Sequence, residues 1–402
     1  MTKVRPFKAI RPTRDKVHLV ASRSYLTYSD ETLKEKLENN PFTFLHIINP
    51  EYNKESKKKG IEKFKLVKHK FIEFLDQGIL FQDKKAAFYL YQQKKGEHKF
   101  QGIIAATSVD DYRKNIIKKH ENTLTKREQI FKDYLHTTGF NADPVLLAYK
   151  SSDKIRDLIN KTTNKRAEYD FTTTNKAQHK LWIIDNDNDI KLIKDSFAAI
   201  NKIYIADGHH RSASSALLSK EKKSDASKFF MSYLIDEKLL NITNFNRLVK
   251  NLNGFSTNEF LKKIAINYSI TKKGNSIHSP SKKDEISMYL EGSWYSLISK
   301  QQTHNTIVDT LDPSILSQNI LNPILNIKDE RTDKNISFLD ATISLLEIKK
   351  KIDNNEFAAA FILKPIPMDA LKKAADNNEI MPPKSTYIEP KLRSGLTIYP
   401  IL

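Results

Sequence analysis

The chain contains no cysteine. Disulfides, thiolate metal sites and cysteine nucleophiles are excluded together, and the composition agrees with a reducing compartment. Glycine is scarce, 10 in 402 residues, so each glycine in a special context is informative. No apolar run approaches the roughly 18–20 residues that a membrane span requires. The basic stretch from Met1 to Arg14 has no apolar segment behind it and does not read as a secretory signal. No Gly-x-x-x-x-Gly-Lys-Ser/Thr sequence occurs, which excludes a P-loop. The expectation is a soluble, cytoplasmic protein with no membrane partner.

What is present is ample apolar material, 39% hydrophobic residues, and a formal charge of +19. A chain of this length is expected to form two domains. The charge fits either nucleic acid or smaller anionic ligands. Much of it is local: residues 53 to 70 hold eight lysines against two glutamates. Ile61, Phe64, Val67, Phe71 and Phe74 recur there at helical spacing, so the lysines read as the solvated face of an amphipathic helix. Lysine also lacks the forked geometry with which arginine reads bases. Basic composition alone therefore does not establish a nucleic-acid partner.

Along the chain, strands are expected at His18–Ala21 and Phe42–Ile48, with a helix at Asp30–Glu38 capped by Ser29 or Asp30. A hairpin is expected over residues 86 to 107 and a helix at Thr125–His136. Strands at Val145–Tyr149, Leu181–Asp185, Lys202–Ala206 and Phe229–Leu234 then alternate with helices at Asp153–Asn160, Lys194–Ile200 and Arg211–Leu218. That alternation argues for an α/β core. The later part reads as α+β: a helix at Asn258–Ile264, a hairpin at Ile286–Ile298, a strand at Phe357–Leu363, a helix at Met368–Ala375 and a loop at Met381–Lys391. The expected division is 1–240 and 241–402.

Three segments carry chemistry. In the first, the apolar strand Ile203-Tyr204-Ile205 runs into Asp207-Gly208 and a helix. Unsatisfied N–H groups and the positive dipole end at a helix start make an anion site. Gly208 lets the backbone approach a phosphate closely, Arg211 adds a charge-assisted donor, and Asp207 is a hard oxygen ligand suited to Mg²⁺. His209 and His210 do not read as a transition-metal pair, since adjacent helical residues point about 100° apart. The second segment is His120-Glu121. Alone it is weak, because no second histidine stands at Leu124 to complete a zinc helix. The third, Met381-Pro382-Pro383-Lys384-Ser385-Thr386-Tyr387, sets a lysine and two hydroxyls in a proline-stiffened loop suited to a carboxylate or phosphate.

In that order the three segments resemble the free serine kinases of the ParB/sulfiredoxin-like superfamily. There a Lys-x-His-Glu segment, an Asp-Gly-His-His-Arg strand end and a late Pro-Lys-x-Thr loop form one site. The matching residues here are Lys118 to Glu121, Asp207 to Arg211, and Pro383 to Thr386. Over its whole length the chain is more similar to domain-of-unknown-function family 1015, through Arg5-Pro6-Phe7, Asn40-Pro41-x-x-Phe44-Leu45-His46, Lys119-His120-Glu121-x-Thr123 and the two later motifs. It departs from that family at Ser212, where an aromatic residue is common, and at Asn246-Arg247, where a His-Arg pair is.

The resemblance implies a mixed-sheet ParB/sulfiredoxin-like core with an additional C-terminal α+β portion. It implies transfer of a phosphoryl group from a nucleotide to free L-serine, giving O-phospho-L-serine. ATP is preferred to ADP as the donor because it is the common cellular one. Glu121 would be the general base, with Asp207 and His210 also catalytic and Asp207 near Mg²⁺. Gly208, His209, His210 and Arg211 would bind the nucleotide. His120, Thr123, Lys384, Ser385 and Thr386 would bind serine or the transferred group. Sulfiredoxin chemistry is excluded by the missing cysteine. Two alternatives remain: a ParB-like nucleotide-dependent nucleic-acid-binding protein, which lacks an evident helix-turn-helix after Leu218, and a non-catalytic sensor of a phosphorylated metabolite.

Overall fold

Phe229–Asp236, an almost unbroken apolar run, becomes a strand in the middle of a mixed sheet, with seven of its eight residues buried. Such runs suit strands covered on both faces. The computed structural model describes residues 1–300 and 305–401. It divides into two units, Met1–Leu240 with Pro390–Leu402, and Asn241–Glu389. The last residues of the chain thus belong with the first unit.

Among the described residues of the first unit, nine strands form the main sheet. They are β1 (Val4–Arg5), β2 (Phe88–Lys95), β3 (His98–Ser108), β4 (Ile117–Lys118), β5 (Val145–Tyr149), β6 (Tyr169–Thr172), β7 (Gln178–Ile184), β8 (Ile203–Asp207) and β9 (Phe229–Asp236). Their order is β4-β8-β5-β9-β3-β2-β7-β6, with β1 beside β3. The pairs β4/β8 and β5/β9 are parallel and the others antiparallel. The β2/β3 hairpin turns at Gly96-Glu97, where Gly96 takes the φ of +57° that a two-residue turn needs.

Helices α1 (Gly60–Asp76), α2 (Thr125–Thr138), α3 (Asp153–Thr163), α4 (Asp187–Ala198) and α5 (His209–Glu221) accompany the sheet. In α1, Val67, Phe71 and Phe74 are buried, while Lys65 and Lys70 pair with Glu62 and Glu73 on the outer side. The expected strands at His18–Ala21 and Phe42–Ile48 are instead single helical turns, Val17–Val20 and Leu45–Ile48. Short apolar runs carry too little periodicity to separate the two states. Val20, Phe44 and Ile47 turn into the core that α1 covers.

Among its described residues the second unit holds a six-stranded antiparallel sheet with an apolar core on each face. Its strands are β10 (Phe245–Val249), β11 (Tyr268–Gly274), β12 (Glu285–Leu290), β13 (Ser293–Ser299), β14 (Ile336–Asp340) and β15 (Ala359–Ile362), in the order β11-β13-β12-β15-β10-β14. Capping boxes at Ser256/Glu259 and Ser344/Glu347 start its helices Thr257–Asn267 and Leu345–Asp353, each satisfying two backbone N–H groups. Within the expected loop Met381–Lys391, Tyr387–Glu389 is a short strand paired with Asn241–Thr243. No helix among the described residues is long and apolar enough to cross a membrane.

Candidate functional site

Strand β8 buries Ile203 and Ile205 completely and brings Asp207 to the edge of the core. Its pairing with β5 slips between Ile205 and Asp207, a bulge that re-aims the chain just before the aspartate. Gly208 follows with φ +104° and caps α5 without a side chain. No acidic residue stands in the first turn of α5, so its own side chains leave the positive end of the dipole unneutralised. Beyond that turn Ser212, Ala213, Ser214 and Ala216 are buried, which lets the helix pack closely. Ser212 is completely buried and donates its hydroxyl to the Gly208 carbonyl, 3.2 Å away.

The parallel pairing of β4 with β8, Ile117 opposite Ile203 and Lys118 opposite Tyr204, explains why a distant segment arrives here. Two parallel strands leave the sheet at the same end, so Lys119 to Glu121 run on beside Asp207 to His209. His120 is buried, with its ring perpendicular to that of His209 at a centroid distance of 4.5 Å. The Glu121 carboxylate, half-exposed, lies 3.5 Å from Nδ1 of His209.

Charge is concentrated on Asp207. Lys391 Nζ lies 3.4 Å and Arg211 Nη2 3.5 Å from the same oxygen, Oδ2. Arg211 also donates to the Pro144 carbonyl, which orients its guanidinium. Burial raises the Asp207 pKa, but Lys391 and then Arg211 outweigh it and hold the group at about 2. Asp207 is therefore ionised at neutral pH. Burial lowers His120 to about 4. Burial, followed by the neighbouring His120, pushes His209 well below its ordinary value. Both rings are neutral at pH 7, and among the described residues His120 Nδ1 and His209 Nε2 are buried with no hydrogen-bond partner. Buried polar atoms are rarely left so unless another group completes them.

The first unit thus brings together His120, Glu121, Asp207, Gly208, His209 and Arg211. Lys391, which sequence reasoning missed, joins them; nothing in its local sequence marks it. His210 turns toward α2, where its ring lies 6.4 Å from Phe131, and burial and then Arg127 lower its pKa. The Thr123 hydroxyl is donated to Glu128. Lys384, Ser385 and Thr386 lie in the second unit. There Lys384 has φ +55° and sets its ammonium 5.1 Å over the Phe245 ring, and buried Ser385 donates to the Pro382 carbonyl at 2.7 Å. Asn246 and Arg247 are buried in the same unit, with Arg247 3.8 Å from Glu330.

Among the described residues no three His, Asp or Glu side chains are arranged to hold a metal ion. A single ionised aspartate at a helix start suits Mg²⁺ where a ligand supplies the other oxygens, since Mg²⁺ takes one or two protein carboxylates and completes its shell with phosphates and water. It does not suit a structural ion caged by protein alone. A cleft of about 490 Å³ lies at the opposite edge of the sheet, around β6 and β7. It is lined by Arg14, His18, Lys165, Arg166, Lys180 and Trp182 among others, and shares no residue with the Asp207 cluster.

Comparison with known proteins gives one family match: the model described as "Protein of unknown function (DUF1015)" matches residues 4–314. Among solved structures, a free serine kinase variant in complex with AMP covers 74% of this chain and 92% of its own, at 12% identity and a TM-score of 0.41. A free serine kinase variant in complex with ADP covers 73% and 91%, at 12% identity and a TM-score of 0.39. A C-terminally truncated SbnI from Staphylococcus aureus covers 73% and 85%, at 11% identity and a TM-score of 0.39. No curated protein matches the chain.

Proposed function

The chain belongs to the DUF1015 family of proteins of unknown function, and from the residues gathered at the end of β8 we propose that it is a kinase for free L-serine, with the first unit as its ParB/sulfiredoxin-like core. One observation carries the reading. A half-exposed carboxylate, Glu121, stands against the helix start that presents Asp207, Gly208 and Arg211. An anion cradle alone describes a sensor as well as an enzyme. A base at its edge gives the cradle a reaction to perform, and phosphoryl transfer needs little besides positioning, charge neutralisation and such a base.

Glu121 accepts the proton of the serine hydroxyl. The hydroxyl oxygen forms a bond to the terminal phosphorus as the bond from phosphorus to the nucleotide's leaving oxygen breaks, and the bonding pair departs with the nucleotide. The N–H groups at the start of α5 and the Arg211 guanidinium hold the phosphates. His209 packs between His120 and Glu121 and fixes the carboxylate's position. Asp207, with the nucleotide's phosphates, would hold Mg²⁺, which supplies further charge neutralisation. Lys384, Ser385 and Thr386 take a part in serine recognition through the sequence resemblance alone. ATP is the preferred donor. The direct test is incubation with Mg²⁺, L-serine and ATP or ADP, with O-phosphoserine detected by mass spectrometry. No phosphoserine with either nucleotide would refute the proposal.

Two further results are expected. Arg211→Ala should weaken nucleotide binding by about 10-fold or more, the scale of a lost hydrogen bond between charged groups; unchanged calorimetric affinity would count against the assignment. Duplex DNA should bind weakly and detach between about 50 and 200 mM salt, as non-specific counterion-driven binding does. Helix α5 is followed by a short 3₁₀ turn and then β9, where a helix-turn-helix would continue into a second helix. Sequence-selective binding that survives the higher salt would favour the nucleic-acid reading.

A further inference from the structure

Lys391 reaches Asp207 across 184 residues of sequence. It comes from the tail, residues 390–401, which is fixed within the first unit at several points. Ile398 and Ile10 exchange backbone hydrogen bonds of 2.8 and 2.9 Å, Ser394 and Ser22 exchange bonds of 2.9 and 3.2 Å, and Tyr399 pairs with Asn141. Arg393 donates to Thr173 at 3.0 Å, and Gln93 donates to the Lys391 carbonyl itself at 3.3 Å. The lysine backbone is therefore held, and its ammonium is delivered to a chosen place.

Stability does not account for that delivery. Side-chain exposure is 36% for Lys391 and 43% for Asp207, and ion pairs this open add little to stability. Ordering a lysine side chain also costs rotamer entropy, which so open a pair scarcely offsets. Two cations on one carboxylate oxygen also exceed what that oxygen needs. With the Glu121 carboxylate beside them these groups carry no net charge, so a phosphate arriving at the helix start must draw its cations from the carboxylates that hold them.

We infer that Lys391 is a further phosphate-binding residue, whose ammonium holds Asp207 while the site is empty and transfers to a phosphate oxygen of the nucleotide on binding. The inference rests on the kinase reading and deepens it. Lysine suits the task as a compact point charge on a flexible stem, able to move between two oxygens without the fixed fork of arginine. Its departure releases Asp207 for the cation that accompanies the phosphates. The same ammonium thus serves as stand-in for that cation in the empty site and as phosphate ligand in the filled one.

The test uses the full chain and its Lys391→Met, Lys391→Gln and Lys391→Arg variants, with Arg211→Ala for comparison. Calorimetry measures ATP and ADP affinity in EDTA and in Mg²⁺, and paramagnetic resonance measures Mn²⁺ binding without nucleotide. Lys391→Met and Lys391→Gln should lose about 10- to 100-fold in metal-free nucleotide affinity, the range for a hydrogen bond between charged partners. They should also bind Mn²⁺ alone more tightly than the parent, because Asp207 has lost a competing cation. Lys391→Arg should recover part of the nucleotide affinity. If the parent binds nucleotide and Arg211→Ala weakens it, but Lys391→Met and Lys391→Gln bind within about twofold of the parent, this inference falls and the kinase reading stands. If the parent binds neither nucleotide, both fall. Unfolding transitions of the variants, matched to the parent's, exclude misfolding as the cause of a loss.

Discussion

Glu121→Gln should lower the rate of phosphoserine formation by about 10²-fold or more while nucleotide affinity stays near that of the parent. The substitution keeps the size and planarity of the side chain, and its amide oxygen can still face Nδ1 of His209, so the 3.5 Å approach seen with the carboxylate can survive. It removes the ability to take a proton. General-base catalysis contributes about 10²- to 10⁴-fold, and 10²-fold corresponds to about 2.7 kcal/mol of barrier. Because the base acts on the acceptor hydroxyl, the loss should fall on kcat, with calorimetric affinity for nucleotide retained. Turnover at the parent rate would remove Glu121 from the mechanism. An equal loss of nucleotide affinity would instead make it part of the binding site.

The halves of this site differed in how far the sequence revealed them. Asp207 to Arg211 could be read directly, because a buried strand ending in Asp-Gly before a helix has a local meaning: an anion-ready helix start. Glu121 carried no such local signal. Its place depends on the parallel register of β4 and β8, a long-range pairing that two residues of strand, Ile117 and Lys118, do not announce. Lys391 is more distant still, because the tail's position is set by backbone exchange with Ile10 and Ser22, and backbone pairing leaves little trace in residue type. The reverse case also occurs. The helix Leu345–Asp353 has a full capping box at Ser344 and Glu347, a readable signal that the expected element series omits. His209 changes its meaning most. The family resemblance makes it a nucleotide ligand, whereas in the fold it is buried between His120 and Glu121.

Gly208→Ala should be the most damaging single-atom change in the cradle, and it separates two reasons for a glycine at this position. The first is conformational. At φ +104° an L side chain is strained, and residues held in such regions cost about 1–3 kcal/mol, which should appear as a lower urea midpoint for unfolding. The second is spatial. A Cβ here would stand 2.9 Å from Arg211 Nε and 3.0 Å from its Cζ and Nη2. The obstructing atoms are the far end of a flexible side chain, so relieving the overlap is cheap for the fold. It is costly for the site, since moving the guanidinium takes it from Asp207 and from the Pro144 carbonyl. Nucleotide affinity should therefore fall at least as far as in Arg211→Ala. If the loss runs mainly through the displaced guanidinium, the double variant should bind scarcely worse than Gly208→Ala alone, since coupled neighbours are not additive. Full additivity would show instead that the methyl group obstructs the phosphate's approach to the helix N–H groups. Parent-like affinity together with parent-like stability would remove Gly208 from the site altogether.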